Sequence, residues 1–402
     1  MAEAADIQTQ PFYLKKAKLK GYKSIKDAEV EFCDGLNIII GKNASGKSNL
    51  LEILFKTLKL NTDNHFPTNT ELTLNGMKDL KIISNYTSNN RIRLNPQSRK
   101  ISEETEFKFI YDGQDTEEFF ELNISFIEYD IPDSKSYPII ARPFNFRYYS
   151  NKDYVYIDYD NFETDRIIYS QLLLFIINQI LNFTHPEFLA LPQKELDLEK
   201  LKNEFNLRMN QKINGISQLF YDLIPIEEIR FNPLINIHFD KELEVYTISN
   251  IFLEYKINGN WLPYSSLSDG TKRLFYIISE FYIGPSAGGL AKLQKEFRGE
   301  NISKNIILIE EPELGIHPHQ LHRLMTFIKE QSRDKQIILS THSPMVLDIL
   351  GKDDLHRIII ASNDDPKKGS QFRHLTEKEK EKAKLYMDNY FLSDYWKHSD
   401  LE

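Results

Sequence analysis

Cysteine is nearly absent from this chain of 402 residues, which contains only Cys33. One thiol excludes a disulfide within the chain and a zinc site built from several cysteines of one protomer, and scarce cysteine is typical of a reducing cytoplasm. An excess of positive charge is also missing, because the formal net charge is -9, so a global basic field for nucleic acid is not expected. The amino-terminal lysines form either a local basic patch or a solvated strand edge: Lys15, Lys16, Lys18, Lys20, Lys23 and Lys26.

Long apolar runs are missing as well. The most apolar stretch, residues 167–181, is interrupted by Ser170, Gln171, Asn178 and Gln179, and it is too short and too polar to span a bilayer. Residues 1–11 carry no signal-peptide pattern. Hydrophobic residues make up 41% and charged residues 27% of the chain, which is the composition of a globular protein. We therefore expect a cytoplasmic protein with no membrane partner.

The chain does contain a phosphate-binding loop, because residues 41–48 read G-x-x-x-x-G-K-S. The apolar run Leu36–Ile40 predicts a buried strand before the loop, and the apolar spacing after it predicts a helix. Strand, glycine loop and helix in this order point backbone N–H groups at a phosphate. Lys47 would reach the β- and γ-phosphates and Ser48 would take Mg²⁺. The predicted nucleotide-binding residues are Gly41, Lys42, Asn43, Ala44, Ser45, Gly46, Lys47, Ser48 and Asn49.

Two acidic residues and one histidine follow two other apolar runs. Glu310 and Glu311 come directly after the run 306–309, and His342 follows the run 336–339. An acid at a strand end can hold Mg²⁺ and a second can activate the attacking water, so we assign Glu310 to the metal and Glu311 to the water. His342 would contact the γ-phosphate. The alternatives are a solvated acidic pair and a structural histidine.

A second possible phosphate site opens the predicted helix Leu274–Tyr282. The preceding residues Ser268, Asp269, Gly270 and Thr271 make a helix start of the kind that binds anions. Because Lys47 already serves the γ-phosphate of one nucleotide, a second such start suggests use in trans on the ATP of a partner. The alternative is an ordinary N-cap.

The remaining pattern predicts an α/β protein. Strands alternate with helices around the motifs, which indicates a mostly parallel core sheet with ligands at the carboxyl ends of its strands. Outside that core the pattern predicts an antiparallel β lobe and an inserted helical lobe. The antiparallel strands are predicted at Tyr13–Lys20, Ala28–Phe32, Ile101–Tyr111 and Phe119–Phe126, with a turn over Gly21–Asp27. Helices are predicted at Asp165–Leu181, Glu195–Leu223, His319–Glu330 and Glu377–Asn389, and further strands at Ile235–Asp240, Leu243–Ser249, Ile251–Ile257 and Arg357–Ala361.

Changes in composition predict four parts along the chain. Residues 1–160 form an amino-terminal ATPase lobe, 161–230 an inserted helical lobe, 231–362 a carboxy-terminal ATPase lobe and 363–402 a charged helical tail.

The motifs, in this order, resemble the ATP-binding cassette ATPases, in the branch that contains SMC, RecF-like and OLD-like proteins. The stretches that carry the resemblance are 18–25, 47–49, 268–271 and 311–318. It implies two protomers that sandwich two ATP molecules head to tail, with Mg²⁺. Residues 268–271 of one protomer would face the γ-phosphate held by Lys47 of the other, and His342 would be the switch histidine.

Three departures from that family pattern suggest slow hydrolysis, on the order of a turnover per minute or less. The signature reads Ser-Asp-Gly-Thr where the family has Ser-Gly-Gly-Gln, and Glu310 stands where aspartate is commoner. The family's glutamine loop has only weak candidates, Gln97 and Gln114.

The chain shows no zinc-hook cysteine pair, no long coiled coil and, after His342, too few residues for a Toprim nuclease domain. We therefore expect an ATPase that controls a separate effector, a nuclease or toxin. Compact ATPases of this kind occur in bacterial anti-phage systems, and the ATPase subunit of the PARIS system is one example that the chain resembles. The alternatives are a RecF-like DNA-repair ATPase, a scaffold that binds ATP with little turnover, and a transporter cassette.

Overall fold

The computed structural model describes residues 13–59, 68–76, 79–87, 104–116, 124–127, 144–149, 155–156, 221, 223–240, 242, 245–263, 266–282 and 305–399, with positions 199, 202–204, 206, 207 and 210. The chain divides into two compact units. The first combines Met1–Tyr129 with Gly299–Glu402, and the second is Asp130–Arg298. The four parts predicted from the sequence remain a prediction.

Strands dominate the described residues of both units. The amino-terminal part of the first unit contains β1 (Tyr13–Tyr22), β2 (Ile25–Glu31), β3 (Leu36–Ile40), α1 (Lys47–Leu58), β4 (Thr68–Asn75), β5 (Leu80–Thr87), β6 (Glu104–Tyr111), β7 (Gln114–Thr116) and β8 (Ile124–Ile127). The second unit contains β9 (Phe144–Tyr149), β10 (Val155–Tyr156), β11 (Glu228–Phe231), β12 (Asn236–Asp240), β13 (Val245–Ile251), β14 (Leu253–Ile257), β15 (Asn260–Pro263) and α2 (Asp269–Tyr282). The first unit resumes with β16 (Ile306–Glu310), α3 (Pro318–Gln331), β17 (Gln336–Thr341), two 3₁₀ helices (Pro344–Ile349 and Lys352–Arg357), β18 (Ile358–Ser362), β19 (Gln371–His374), α4 (Glu377–Tyr386) and α5 (Leu392–Lys397).

A mostly parallel sheet forms the core of the first unit, as predicted. Its strand order is β19-β18-β3-β17-β16-β8, and every neighbouring pair is parallel except β18 with β19. The inner strands are runs of isoleucine and leucine that are buried along almost their whole length, as expected for strands covered on both faces. The register sets Ile40 opposite Thr341, and Glu310 opposite Ser340.

An antiparallel sheet forms a second layer of the same unit. Its order is β2-β1-β4-β5-β6-β7. Alternate residues of β4 are buried, which is the period-two pattern of a sheet with one covered face, and a register shift between Leu14 and Lys16 interrupts that alternation in β1. The predicted turn over Gly21–Asp27 is wrong in length. Both strands continue into it, and a tight hairpin forms because Gly21 and Lys23 adopt positive φ angles of 78° and 48°.

The prediction for Phe119–Phe126 is also wrong. Residues 124–127 form β8, which pairs in parallel with β16 at the edge of the core sheet, and not with the antiparallel strands. A short run of apolar residues fits either sheet, so only the pairing partner could decide between them. The other three segments predicted as antiparallel strands do contribute to that sheet, as β1, β2 and β6.

Helix α1 packs between the two sheets of this unit. It contacts β8, β16 and β17 of the parallel sheet and β1 and β5 of the antiparallel sheet. Leu50, Leu51, Ile53 and Leu54 are fully buried on it, and each contributes about 2 kcal/mol of apolar burial. The phosphate-binding loop therefore leads into a helix that is fixed on two sides.

Gln336 joins the two sheets by hydrogen bonds. Its side chain is fully buried at the start of β17. Its Oε1 accepts from the backbone N–H of Leu14 at 2.8 Å, and its Nε2 donates to the carbonyl oxygens of Leu14 at 2.7 Å and Cys33 at 3.0 Å. The side-chain amide of Gln336 thus bonds both the N–H and the C=O group of Leu14 in β1.

The second unit contains two further antiparallel sheets, β10-β9-β13-β12 and β11-β14-β15. The strands predicted between 235 and 257 are confirmed as β12, β13 and β14. The α2 helix begins at Asp269 and packs on β14, where the rings of Tyr255 and Phe275 meet edge to face at 5.2 Å. The predicted helix Asp165–Leu181 lies outside the described residues, and only scattered positions of Glu195–Leu223 lie within them.

The carboxy-terminal residues contain more short elements than predicted. The strand predicted at Arg357–Ala361 is β18. The helix predicted from Glu377 to Asn389 is confirmed as α4, but it ends three residues earlier, at Tyr386, and a turn leads into α5. Leu392 and Trp396 of α5 are buried, and Ser393 donates from its N–H and hydroxyl groups to the Asp348 carboxylate, both at 2.8 Å. Within the described part of the chain, no helix has the length and apolar character needed to cross a membrane.

We expect the change Gln336→Ala to lower the free energy of unfolding by about 3 kcal/mol, because it leaves the buried N–H and C=O groups of Leu14 without partners. Chemical denaturation measures this change. Gln331→Ala is the matched control. Gln331 is the last residue of α3, and among the described residues its side chain has one hydrogen bond, accepted from Lys335 Nζ at 2.7 Å, so its loss should cost at most about 0.5 kcal/mol. Equal losses in the two variants would contradict the role given to Gln336.

Candidate nucleotide-binding site

The phosphate-binding loop connects the end of β3 to the start of α1. Gly46 is the N-cap residue of α1 and has a φ of 99°, a conformation that favours glycine. The buried Lys47 side chain turns back into the loop, where Nζ donates to the carbonyl oxygens of Gly41 at 2.7 Å and Lys42 at 2.9 Å. The Ser45 hydroxyl is buried and has no hydrogen-bond partner among the described residues. The loop therefore places an ammonium group and a free hydroxyl at the amino end of a helix.

The loop is supported from behind by residues far away in the sequence. A Cβ atom added to Gly46 would overlap the Ser370 hydroxyl, and it would lie 2.6 Å from Ser370 Cβ and 3.0 Å from Ser24 Oγ. The Ser370 hydroxyl donates to Ser24 Oγ at 2.7 Å, and Asn49 Nδ2 donates to the same oxygen at 2.7 Å. Ser24 and Ser370 were not predicted as site residues. Ser24 lies within a stretch that the family resemblance covers, but no local signal marks Ser370.

These features fit a nucleoside triphosphate with Mg²⁺. The space behind Gly46 is filled by the side chains of Ser370 and Ser24, so this position of the loop admits no side chain of its own. The amino end of α1 carries a partial positive charge that favours phosphate oxygens. Ser48, in the first turn of α1, is exposed, and its hydroxyl together with the Glu310 carboxylate supplies the oxygen ligands that Mg²⁺ prefers.

The acidic pair and the histidine lie at the same edge of the sheet as the loop. Glu310 ends β16, and its neighbour in the register is Ser340 of β17. Glu311 has a positive φ of 44°, and its N–H donates to the carbonyl oxygen of Ser340 at 2.8 Å. Its Oε1 lies 3.2 Å from Nδ1 of His342, the residue that follows β17. Because β17 is the neighbour of both β3 and β16, this edge brings together Lys47, Glu310, Glu311 and His342.

Glu313, which was not predicted as a site residue, lies close to His342, with its Oε1 atom 3.7 Å from His342 Nδ1. Its side chain is only 8% exposed. Its Oε1 accepts from Thr341 Oγ1 at 2.5 Å and from the N–H groups of His342 and Ser343 at 3.2 Å each. Burial raises the pKa of Glu313, and the bonds from Thr341 and His342 act in the opposite direction. Glu313 lies within the stretch 311–318 that carries the family resemblance, as a third acid on the loop after β16.

The predicted signature residues lie in the second unit, at the start of α2. The Ser268 hydroxyl is 2.8 Å from Thr271 Oγ1 and accepts from the Thr271 N–H at 3.2 Å, so Ser268 caps the helix. Asp269 begins α2 and its carboxylate accepts from Lys272 Nζ at 3.3 Å. This geometry is an N-cap, one of the two interpretations left open by the sequence, and it leaves the proposed use in trans untested.

The glutamine loop is not located. Gln114 begins β7, beside the hairpin that ends β6 in the antiparallel sheet, and so it is not at the end of a core strand. Gln97 lies outside the described residues.

A protein-family model described as "AAA domain, putative AbiEii toxin, Type IV TA system" matches residues 36–348. The chain belongs to this family. The match begins at the strand before the phosphate-binding loop and ends after His342, so it includes every element described above at the edge of the core sheet.

Among curated relatives of this AAA-domain protein is an "ATP/GTP phosphatase" of Helicobacter pylori, which is 23% identical over 368 residues, covering 84% of this chain and 87% of the relative. The DNA replication and repair protein RecF of Caldanaerobacter subterraneus is 48% identical over 42 residues. That second match covers 10% of this chain and 12% of the RecF protein. The chain thus matches only about an eighth of the RecF length.

Among solved structures, the Smc head domain of Pyrococcus furiosus, bound to the C-terminal domain of ScpA, aligns with a TM-score of 0.50. The identity is 15%, over 94% of this chain and 100% of that chain. The predicted fold class is therefore confirmed: this AAA-domain protein has an SMC-head-type α/β fold with parallel and antiparallel strands.

We expect Gly46→Ala to weaken nucleotide binding by at least about 10-fold, because the new methyl group must displace Ser370 from its place behind the loop. Titration with a fluorescent ATP analogue measures the loss. Gly113→Ala is the matched control: Gly113 also has a positive φ, of 78°, but its Cβ would meet nothing within 4 Å. It should bind the analogue like wild type.

A second change makes this prediction stricter. Gly46→Ala combined with Ser370→Gly removes both Ser370 atoms that the new Cβ would touch, and so it should recover part of the binding. No recovery in the double variant would mean that the conformation of Gly46, and not its close contact with Ser370, determines the loss.

Proposed function

We propose that this protein is an ATP-hydrolysing switch that dimerises head to tail around ATP and controls a partner effector. The observation that carries the proposal is the edge of the core sheet. There the phosphate-binding loop, the acidic pair and His342 follow three adjacent strands, with Glu311 Oε1 3.2 Å from His342 Nδ1. The H. pylori relative is named for phosphate release from ATP or GTP, which supports hydrolysis as the activity.

The proposed roles follow from the positions of the side chains. Lys47 binds the β- and γ-phosphates, while Ser48 and Glu310 hold Mg²⁺, which neutralises charge on the phosphates when bound. Glu311 orients and deprotonates the attacking water. His342 reports the presence of the γ-phosphate, because its ring contacts the carboxylate that activates the water. Residues 268–271 of the partner protomer complete the site, and turnover is slow.

The effector is proposed as a nuclease or toxin in bacterial anti-phage defence, with the PARIS ATPase subunit, AriA, as the example of such a protein. The family description mentions a putative toxin and a type IV toxin–antitoxin system, which supports a role in this class of systems. We also propose the four-part division of the chain given above, with the insert 161–230 and the tail 363–402 as the places where the partner docks.

DNA repair in the manner of RecF is the second candidate, favoured by the 42-residue RecF match. The amino-terminal lysines give it little support. Lys18 pairs with Glu71 at 3.3 Å, Lys20 pairs with Asp27 at 3.2 Å, and Lys16 pairs with Glu29. Lysines that are already paired with acids make a weak surface for phosphate, so solvated lysines are preferred to a basic patch. The strand edge expected for them is wrong for the lysines of β1, because β1 is an inner strand that pairs with both β2 and β4.

We expect Lys47→Ala and Glu311→Gln each to lower the rate of ATP hydrolysis by about 100-fold or more. They should differ in binding: Lys47→Ala loses a phosphate contact, whereas Glu311→Gln keeps ATP and should accumulate as a dimer. Phosphate release and light-scattering mass, with and without Mg·ATP, measure both effects. Glu330→Gln on the exposed face of α3 is the control. If the Glu311→Gln protein has the same light-scattering mass with and without Mg·ATP, the proposed ATP-dependent dimer is contradicted.

We expect Glu311→Gln to capture one effector protein from its native cells in only one nucleotide state, because the variant holds the closed dimer. The measurement is affinity capture with and without ATP, analysed by mass spectrometry, with Lys47→Ala as the variant that should show no ATP dependence. Capture of repair proteins with duplex DNA, at an affinity that falls steeply with salt, would contradict the effector proposal and favour the RecF-like function.

A further inference from the structure

A single oxygen atom of Glu313 connects the acidic loop to the histidine loop. Oε1 receives three hydrogen bonds, from the Thr341 hydroxyl and the backbone N–H groups of His342 and Ser343. The other carboxylate oxygen, Oε2, is buried and has no hydrogen-bond partner among the described residues. The Glu313 carboxylate therefore accepts these hydrogen bonds through Oε1 alone, and it fixes the turn that carries His342.

The backbone after β16 is shaped to bring Glu313 to that place. Glu311 leaves the strand with a positive φ of 44° while its N–H still bonds β17. A turn follows, in which the N–H of Leu314 donates to the Glu311 carbonyl at 3.3 Å and the N–H of Ile316 donates to the Glu313 carbonyl at 3.1 Å. A strained non-glycine residue persists only where its surroundings hold it, and the buried Glu313 side chain is one such restraint.

The hydrogen bonds of Glu313 also set the distance between the Glu311 carboxylate and the His342 ring, which are the groups proposed to act on water and on phosphate. The His342 Nδ1 atom lies 3.2 Å from Glu311 Oε1 and 3.7 Å from Glu313 Oε1. Glu311 and Glu313 belong to one loop, and the backbone of His342 is bonded to the second of them. A change in the length of the Glu313 side chain would therefore shift His342 relative to Glu311.

We propose that Glu313 is a positioning residue for ATP hydrolysis, which holds His342 against Glu311 through its one fixed acceptor atom. The proposal rests on the proposed function, since it assigns work to Glu313 only through Glu311 and His342. Glu313 belongs to neither the phosphate-binding loop nor the metal ligands. Its loss should therefore lower kcat and leave the KM for ATP nearly unchanged.

Three variants separate position from charge. Glu313→Gln keeps an acceptor oxygen at the same distance and loses the charge, so kcat should stay within about 5-fold of wild type. Glu313→Asp keeps the charge but shortens the side chain by one methylene, and Glu313→Ala removes the acceptor. In both of these kcat should fall by about 100-fold, the size of loss that a displacement near 1 Å can cause. Thr341→Val removes one of the three bonds to Glu313, together with the 2.9 Å bond that Thr341 Oγ1 accepts from the Ser343 N–H, and should show a smaller fall, of about 5-fold.

A second measurement does not depend on hydrolysis. Hydrogen–deuterium exchange of the peptide spanning residues 340–346 reports the N–H groups of His342 and Ser343, which Glu313 holds. Exchange there should be at least about 10-fold faster in Glu313→Asp and Glu313→Ala, and close to wild type in Glu313→Gln. Thr57→Val is the control for altering a buried polar side chain, because Thr57 Oγ1 is also buried without a partner, in α1. It should change neither measurement.

The outcomes separate this proposal from the proposed function. If the wild-type protein hydrolyses ATP no faster than the Lys47→Ala variant, the proposed hydrolysis is refuted. The exchange measurement would then still test the contact between Glu313 and the backbone of His342 and Ser343. Unchanged exchange in Glu313→Ala would overturn the positioning role, whatever the activity. The positioning role would also be overturned if kcat were higher in Glu313→Asp than in Glu313→Gln. The same holds if the KM for ATP in a Glu313 variant rose by as large a factor as kcat fell. Thermal unfolding identifies any variant that is not folded, and if Glu313→Ala is lost, exchange in the Glu313→Asp and Glu313→Gln pair decides in its place.

Discussion

The parallel pairing of β17 between β3 and β16 is the constraint on which the rest of this structure depends. It sets Ile40 opposite Thr341 and Glu310 opposite Ser340, so three strands end at the same level. The phosphate-binding loop, the acidic pair and the histidine then leave the sheet side by side, although the loop ends 262 residues before the acidic pair in the chain (310 − 48). A slip of one residue in either pairing would move every side chain of that strand to the opposite face of the sheet and would also shift the residues at the strand end, so the apolar core and the site depend on the same register.

The phosphate-binding loop at this edge is supported by two segments that lie near the two ends of the first unit's sequence. The hairpin after β1 supplies Ser24 and the segment before β19 supplies Ser370, and the two hydroxyl groups meet behind Gly46. At the start of β17, Gln336 bonds both backbone groups of Leu14. The conformation of the phosphate-binding loop is thus a property of the whole unit, because its nearest supports become available only once both sheets have formed.

Much of the fold and part of the site could be predicted from the sequence, for reasons that are local. The run Leu36–Ile40 is a strand because β-branched residues favour a doubly covered sheet, and Gly46 marks a position that excludes side chains. The rest depends on contacts between distant residues. The residues of β8 fit either sheet, and only pairing with β16 placed them in the core. The sequence around Ser370 contains no nucleotide-binding motif. The role proposed for Glu313 depends on its hydrogen bonds with Thr341 and His342, which only the structure shows.

The left-handed backbone of Glu311 has a consequence for how this protein can change. A residue with a side chain in that conformation costs about 1 kcal/mol relative to glycine, so the fold would gain stability by replacing the acid with glycine. Such a variant would fold better and lose the carboxylate proposed to activate water. Random selection for thermostability would therefore tend to remove this acid, and consensus or ancestral stabilisation of relatives should protect this position deliberately.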